Sequence, residues 1–122
     1  MQHRRSLAQE GERLAAEHLA RAGYRIVGRN VRAEGVEMDV IAMRPGLVVF
    51  VEVKTRSSRG HGLPEEAVDP AKCQRLVRGA RAWLRRHGRP GLRARFDVIA
   101  VEPGDSGQLC VRHLPAAFDA SP

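Results

Sequence analysis

The stretch LVVFVEVKTR, residues 47–56, sets an acid and a base inside a segment that otherwise predicts a buried strand. Its first five residues are apolar and mostly β-branched or aromatic, which is typical of a strand. Glu52 and Lys54 continue the same strand. Because strand side chains alternate between faces, these two charged residues share one face of the predicted sheet.

The preceding stretch VEMDVIAM, residues 36–43, predicts the partner strand of a hairpin that turns at residues 44–46. A two-residue loop at Pro45-Gly46 would fix the register. The pairs set opposite each other would then be Arg44 with Leu47, Asp39 with Glu52, and Glu37 with Lys54. A shift of one residue would move the charged pairs to opposite faces, so the interpretation depends on this register.

Asp39 and Glu52 would repel each other in this register, because like charges across a strand pair are destabilising. A divalent cation between them would compensate, and their oxygen ligands suit Mg²⁺ or Mn²⁺. Such an ion activates water and neutralises charge on a phosphodiester, and Lys54 would stabilise the developing negative charge. Only two of the 21 basic residues are lysines, and Lys54 is one of them. A lysine in a chain that otherwise uses arginine suggests that the site requires a compact ammonium group at this position. The alternative is a plain ion pair between Glu52 and Lys54 at a strand end.

Two amphipathic helices are predicted on either side of this hairpin. The first runs over residues 6–22, with a capping box formed by Ser6 and Gln9 and with Gly23 closing it. The second begins after Asp69 with Pro70 in its first turn and ends at Gly88. Further strands are predicted at residues 24–32, 95–101 and 108–114. This order predicts an α/β fold with a mixed sheet flanked by α-helices.

A length of 122 residues predicts one domain, over residues 1–114, followed by a flexible tail over residues 115–122. The sequence shows neither a signal peptide nor an apolar run long enough for a membrane span, so we expect a cytoplasmic protein. Cys73 and Cys110 lack metal-ligand spacing, and we expect both to be reduced core residues.

A net charge of +7 and an isoelectric point near 10.9 favour an anionic partner, with DNA as the first candidate. Aromatic residues make up only 4% of the chain, which favours contacts to duplex or branched DNA over stacking on single strands. The exposed face of the second helix is predicted to carry a basic ridge that could contact phosphates or remain solvated: Lys72, Arg75, Arg78, Arg81, Arg85 and Arg86.

The order of an acid, a hairpin and a Glu-x-Lys motif resembles the PD-(D/E)XK nuclease superfamily, which includes Holliday-junction resolvases. Asp39 matches the Asp of that motif, and Glu52-Val53-Lys54 match its (D/E)XK element. Four ordered blocks more closely resemble the YraN-like family of uncharacterised bacterial proteins. They read GERLAAEHLARAGYRIVGRN, EMDVIA, VVFVEVKTR and RFDVIAV, and the likeness around them covers about residues 7–101.

This resemblance implies a restriction-endonuclease-like three-layer sandwich. It also implies a metal site built from Asp39 and Glu52, with Glu12 as a third acid and Lys54 as a catalytic residue. The usual GEID sequence of the family appears here as VEMD, with Val36 where glycine is expected. Glu37 is expected either to support the metal ligands or to pair with Lys54.

The sequence therefore predicts a Mg²⁺- or Mn²⁺-dependent endonuclease that acts on duplex or branched DNA. Its nucleic-acid contacts are predicted at Lys72, Arg75, Arg78 and Arg85. Resolving a four-way junction would require a symmetric homodimer, because two strands must be cut. A non-catalytic DNA-binding module of the same fold is the main alternative, and a basic structural protein with an ion-pair cluster is another.

Several polar residues are given smaller or no roles. His61 is predicted to lie in a solvent-exposed loop, and Gln74 could face the site together with Lys72. Asp97 is predicted to be structural. No role is assigned to the other histidines, which lack ligand spacing: His3, His18, His87 and His113.

Overall fold

A computed structural model describes residues 6–58 and 69–119 of the chain. The elements within these residues are α1 (Leu7–Arg21), β1 (Arg25–Ala33), β2 (Val36–Arg44), β3 (Leu47–Thr55), α2 (Pro70–His87), β4 (Arg93–Pro103) and β5 (Leu109–Phe118). The strands form one sheet in the order β1-β2-β3-β4-β5. β3 and β4 are parallel and are connected through α2, whereas the other neighbours are antiparallel. The predicted mixed sheet is confirmed.

The two helices pack on opposite faces of the sheet. Val49 of β3 belongs to the core cluster that contains Leu19 of α1. The next residue, Phe50, belongs to the cluster that contains Leu76 of α2. Because consecutive strand residues point to opposite faces, each face of the sheet is covered by one helix. The predicted α/β arrangement is confirmed at this level.

The helices begin where the sequence predicts. Ser6 Oγ accepts a hydrogen bond from the Gln9 amide at 3.1 Å, and Gln9 Oε1 accepts one from the Ser6 amide at 2.9 Å. Asp69 caps α2 by accepting a hydrogen bond from the Lys72 amide at 2.8 Å. Gly23 follows the end of α1 with φ +94°, a conformation that favours glycine. Neither described helix has the length and apolar composition needed to cross a membrane.

The hairpin between β2 and β3 has the predicted register. Arg44 pairs with Leu47, and the paired residues continue to Val40 and Val51. Gly46 adopts φ +74° in the turn, which explains why a Pro-Gly loop can connect the two strands. The charged pairs predicted beyond Val40 and Val51, Asp39 with Glu52 and Glu37 with Lys54, are not among these paired residues.

The last strand extends beyond the predicted boundary at Leu114. β5 continues to Phe118, so the tail predicted over residues 115–122 is wrong for its first four residues. Phe118 pairs with Phe96 across the strands, and their rings stack with centroids 4.9 Å apart. This aromatic contact holds the half-buried Phe118 against the sheet. Residues 120–122 lie outside the described part of the chain.

Cys110 is exposed, so its prediction as a core residue is wrong, whereas Cys73 is half-buried. The neighbours of Cys110, Leu109 and Val111, pack against the core on the α1 side of the sheet. The alternation of β5 therefore turns the Cys110 side chain away from that core.

A buried aspartate ties β4 to β5 and α1, in agreement with the structural role predicted for Asp97. Its side chain is fully buried and accepts hydrogen bonds from the Ala116 amide at 2.9 Å and from Arg95 Nε and Nη2 at 2.8 Å each. His113 Nε2 lies 2.7 Å from Asp97 Oδ2, and His113 Nδ1 lies 3.1 Å from Nε2 of His18 on α1. The two histidines, which received no role from the sequence, complete this chain of contacts.

The pKa of the Asp97 carboxyl reflects this environment. Burial alone would raise it, but the hydrogen bonds from His113, Arg95 and the Ala116 amide outweigh burial and lower the pKa below its ordinary value. The ionised carboxylate is therefore the form that the fold stabilises.

Asp97→Asn should lower the free energy of unfolding by about 3 kcal/mol at neutral pH, because Arg95 loses its buried charged partner. Urea unfolding measures this change. Glu34→Gln is the matched control, since Glu34 meets Arg85 at 3.4 Å with both side chains largely exposed. That exposed pair should contribute less than about 1 kcal/mol. Equal stability of wild type and Asp97→Asn would contradict the structural role of Asp97.

Candidate functional site

The candidate site lies where β2 and β3 separate. Beyond Val40, β2 remains paired with β1, and β3 remains paired with β4 as far as Thr55. In the gap, the Val53 amide donates a hydrogen bond to Asp39 Oδ2 at 2.8 Å. The Asp39 carboxylate thus accepts a hydrogen bond from a backbone amide that lies just beyond the last residue pair between β2 and β3. This bond fixes the carboxylate of Asp39 between the two strands.

Glu52 is the other acid of the site, and it is buried with 5% of its surface exposed. Its Oε1 lies 3.4 Å from Lys54 Nζ and also forms an ion pair with Lys72 Nζ, which comes from the first turn of α2. The ion pair expected as the alternative interpretation of Glu52 and Lys54 is therefore present. The observed cluster contains one more charged group than predicted, because the ammonium groups of both Lys54 and Lys72 contact the Glu52 carboxylate.

Burial of Asp39, together with the negative charges near it, raises the pKa of its carboxyl to about 7. Burial is the main cause, and the negative charges of Glu52 and Glu12 add to it. The Val53 hydrogen bond and the positive charge of Lys72 act in the opposite direction. The repulsion between Asp39 and Glu52 that the sequence predicts is thus present, and it favours the protonated form of the Asp39 carboxyl.

The two lysines differ in their electrostatic environment. Burial, together with the neighbouring Lys72, lowers the pKa of Lys54 below its ordinary value. Burial would also lower the pKa of Lys72, but its contacts with Glu52 and Lys54 raise it overall. Lys72 is therefore the more firmly held cation, and Lys54 carries the ammonium that is less stabilised by Glu52.

Glu12 enters the site on α1 through a close contact between that helix and β3. Gly11 is buried, and a Cβ atom added to it would collide with the side chain of Thr55. Only a residue without a side chain permits this approach. The neighbouring Glu12 is half-buried, and its charge is among those that raise the pKa of Asp39. The structure thus brings all three predicted acids into one electrostatic environment.

Glu37 does not pair with Lys54, so that part of the prediction is wrong. It is exposed, and it lies opposite Arg32 of β1 with 4.0 Å between Glu37 Oε2 and Arg32 Nε. β2 has left β3 at this point, so the extrapolated pairing with Lys54 does not form. Glu37 instead lines a shallow cleft of about 190 Å³ together with Lys72 and Arg75.

The predicted nucleic-acid contacts of α2 divide into two groups. Arg75, Arg78 and Arg85 are exposed, as predicted, and Arg85 meets Glu34 at 3.4 Å. Lys72 is half-buried against Glu52 and therefore belongs to the acidic site. Gln74 is exposed on α2. His61 lies outside the described residues.

The acids fit a hard divalent cation by their chemistry. No three His, Cys, Asp or Glu side chains within residues 6–58 and 69–119 are arranged to hold a metal together. Mg²⁺ requires fewer protein ligands, since it commonly uses one or two carboxylates and keeps several waters. Asp39 and Glu52 supply that number.

The sequence predicted that Lys72 could face the site, but it gave no pattern that would pair Lys72 with Glu52. One signal was present, because Lys54 and Lys72 are the two lysines of a chain that otherwise uses arginine. Both lysines contact the same carboxylate.

Comparison with known proteins identifies the family. Residues 11–101 match the family described as "Uncharacterised protein family UPF0102". A UPF0102 protein of Symbiobacterium thermophilum is 49% identical over 116 residues, covering 95% of this chain and 98% of the relative. One from Trichlorobacter lovleyi is 46% identical over 110 residues, covering 89% and 87%, respectively. One from Rhodococcus jostii is 45% identical over 118 residues, covering 97% and 100%. The chain therefore belongs to the uncharacterised, YraN-like protein family UPF0102.

Proposed function

We propose that this protein is a Mg²⁺- or Mn²⁺-dependent endonuclease that hydrolyses phosphodiester bonds in duplex or branched DNA, including four-way junctions. The observation that carries the proposal is the meeting of Asp39 and Glu52, with Lys54 on Glu52, where β2 separates from β3. The restriction-endonuclease-like three-layer sandwich is proposed on the same grounds. Cleavage of both strands of a junction would take a symmetric homodimer.

Asp39 and Glu52 would hold the metal ion, and Glu12 would add negative charge near them without forming a three-acid ligand set with them in this arrangement. When bound, the ion would activate water and neutralise charge on the phosphodiester. The repulsion that raises the pKa of Asp39 supports this assignment, because a cation would relieve it. Both ion pairs of Glu52 use Oε1, so its second oxygen, Oε2, would be the metal ligand.

Lys54 would act on the reacting phosphate. Its ammonium lies 3.4 Å from Glu52 Oε1, and burial is the main cause that lowers its pKa, so Glu52 compensates its charge only in part. Such a group stabilises negative charge that develops in the transition state. Lys72 would position Glu52, because it forms the closer of the two ion pairs.

The exposed arginines of α2 would bind the DNA backbone. Arg75, Arg78 and Arg85 lie on the helix whose first turn supplies Lys72 to the site. Arginine suits phosphate because its planar fork donates two parallel hydrogen bonds. The helix α2 would therefore contribute both to the proposed DNA surface and to the proposed catalytic site.

A non-catalytic DNA-binding module is the second candidate, and the charge balance of the site favours it specifically. Glu52 is already neutralised by Lys54 and Lys72, and the raised pKa of Asp39 favours its uncharged form. Such a cluster persists without metal. Incubation of the purified protein with linear, flapped and four-way DNA, with Mg²⁺, Mn²⁺ or EDTA, separates the two candidates. Metal-dependent products support the endonuclease, and binding without products supports the module.

Lys54→Ala should abolish metal-dependent cleavage and leave DNA affinity in EDTA within about threefold of wild type, because the ammonium acts mainly in the transition state. Lys54→Arg is the matched control for charge. It should also cleave poorly, since a planar guanidinium does not replace a compact ammonium. Cleavage rates and affinities measured on the same DNA check both variants. Full activity of both would remove Lys54 from the mechanism.

Asp39→Asn should change how stability depends on pH and metal. The folded pKa of Asp39 is about 7 and its ordinary value is 3.8, so its stabilising contribution is complete below about pH 4 and lost as pH rises to 7. The unfolding free energy of the metal-free wild type, relative to Asp39→Asn, should therefore fall by up to about 1.4 kcal/mol per pH unit in that window. The side-chain amide oxygen that this substitution introduces can still accept the Val53 hydrogen bond.

At pH 8, Mg²⁺ or Mn²⁺ at a hundredfold excess over its dissociation constant should stabilise the wild type by about 2.7 kcal/mol. Asp39→Asn should lose most of that gain, because one ligand has lost its charge. Thermal melts with EDTA and with each metal measure both effects. A metal-free Asp39→Asn much less stable than wild type, without any metal shift in wild type, would rule out the metal site.

Replacing Arg75, Arg78 and Arg85 together by Gln should make DNA affinity less dependent on salt. The slope of log affinity against log salt should decrease by about 2 to 3, because each lost phosphate contact removes about 0.9. The control changes three exposed arginines outside α2 to Gln: Arg21, Arg29 and Arg93. Fluorescence anisotropy over a salt series measures the slopes. Equal slopes for wild type and the α2 variant would leave α2 without a role in DNA binding.

A further inference from the structure

A second candidate binding site lies at the end of the sheet opposite the acids. Three turns meet there: Gly23 after α1, Pro45 and Gly46 between β2 and β3, and residues 89–92 before β4. They enclose a cleft of about 470 Å³. The hairpin turn is separated from Glu52 by the first half of β3, which spans about 17 Å at about 3.3 Å per residue. The cleft is therefore distinct from the proposed catalytic site.

The walls of this cleft carry three arginines, Arg25, Arg44 and Arg89, and no acidic residue among the described part of the chain. Arg25 and Arg89 are exposed, and neither has a carboxylate partner within residues 6–58 and 69–119. Three cationic groups around one concave surface repel each other unless an anion is present. The charge of the cleft thus favours an anionic ligand.

Arg44 is held in position for such a ligand. Its Nη2 donates a hydrogen bond to the carbonyl oxygen of Ala22, and its guanidinium carbon lies 3.8 Å from the centre of the Tyr24 ring. Tyr24 is itself buried, and its hydroxyl accepts a hydrogen bond from Arg95 Nη2 at 2.6 Å. A guanidinium fixed in this way loses little freedom when it binds an anion, which favours affinity.

The cleft also offers apolar surface beside the arginines, from Met43, Leu92 and the two prolines Pro45 and Pro90. A concave surface that combines apolar walls with a few polar groups is typical of a small-molecule site. Arginine forks match phosphate geometry. We propose that this cleft binds a phosphorylated small molecule with an apolar part, of the nucleoside di- or triphosphate class.

The proposal is independent of the proposed nuclease function, because it uses none of the acids or lysines of that site. ATP is the probe, titrated into the purified 122-residue protein in EDTA and followed by calorimetry. Adenosine, which lacks phosphates, is the ligand control. ATP should bind saturably with one site per chain, and adenosine should not bind measurably.

Arg25→Gln tests the cleft, and Arg29→Gln is its matched control. Both arginines are exposed on β1, but only Arg25 lines the cleft. Arg25→Gln should weaken ATP binding about tenfold, which is the usual scale for one charge-assisted phosphate contact. Arg29→Gln should leave it within about twofold. Changing Arg25 and Arg89 together should weaken ATP binding further.

Three results would overturn the proposal. The first is absence of saturable ATP binding by the wild type at millimolar concentration. The second is equal weakening by Arg25→Gln and Arg29→Gln, which would indicate attraction to the whole basic surface. The third is displacement of ATP by a short DNA duplex whose own affinity is equally sensitive to Arg25→Gln. That result would assign the cleft to nucleic acid.

Discussion

The site depends on one hydrogen bond that replaces strand pairing. β2 and β3 pair from Arg44 and Leu47 to Val40 and Val51, and beyond that point the Val53 amide donates to the Asp39 carboxylate. The bond stabilises the separation of two strands that are otherwise buried and apolar. It also fixes Asp39 close to Glu52, since both continue the strands from their last paired residues. The acidic site is therefore a consequence of how the sheet opens.

The opening of the sheet sets the charge balance of the site. Three acids and two lysines lie near one another there, but both lysines form their ion pairs with the same acid. Glu52 is neutralised by Lys54 and Lys72, whereas Asp39 has an amide donor and a pKa raised to about 7. A buried carboxylate without a charged partner is costly, so the metal-free site carries unrelieved repulsion. This is the physical basis on which a metal-dependent function and a metal-free ion-pair cluster can be distinguished.

The rest of the fold holds the site and the arginine cleft apart. Asp97, buried with Arg95 and His113, links β4 to β5 and through His18 to α1. The same Arg95 donates to Tyr24, on which Arg44 of the cleft rests. A polar network thus runs across the α1 face of the sheet, and buried networks of this kind are rigid when every member is satisfied. Among the described residues, no buried side-chain nitrogen or oxygen lacks a hydrogen-bond partner.

Local patterns in the sequence predicted the helices, the hairpin register and the proximity of Glu52 to Asp39 and Lys54. These features follow from local periodicity, capping residues and a two-residue turn, all of which act over a few residues. The remaining features depend on tertiary contacts. Lys72 contacts Glu52 because α2 connects β3 to β4. Glu37 pairs with Arg32 of β1 because β2 separates from β3. The last strand, β5, extends to Phe118 because Phe96 of β4 lies opposite it. Each depends on contacts between residues distant along the chain or on strand divergence, for which a single sequence carries no local periodic signal.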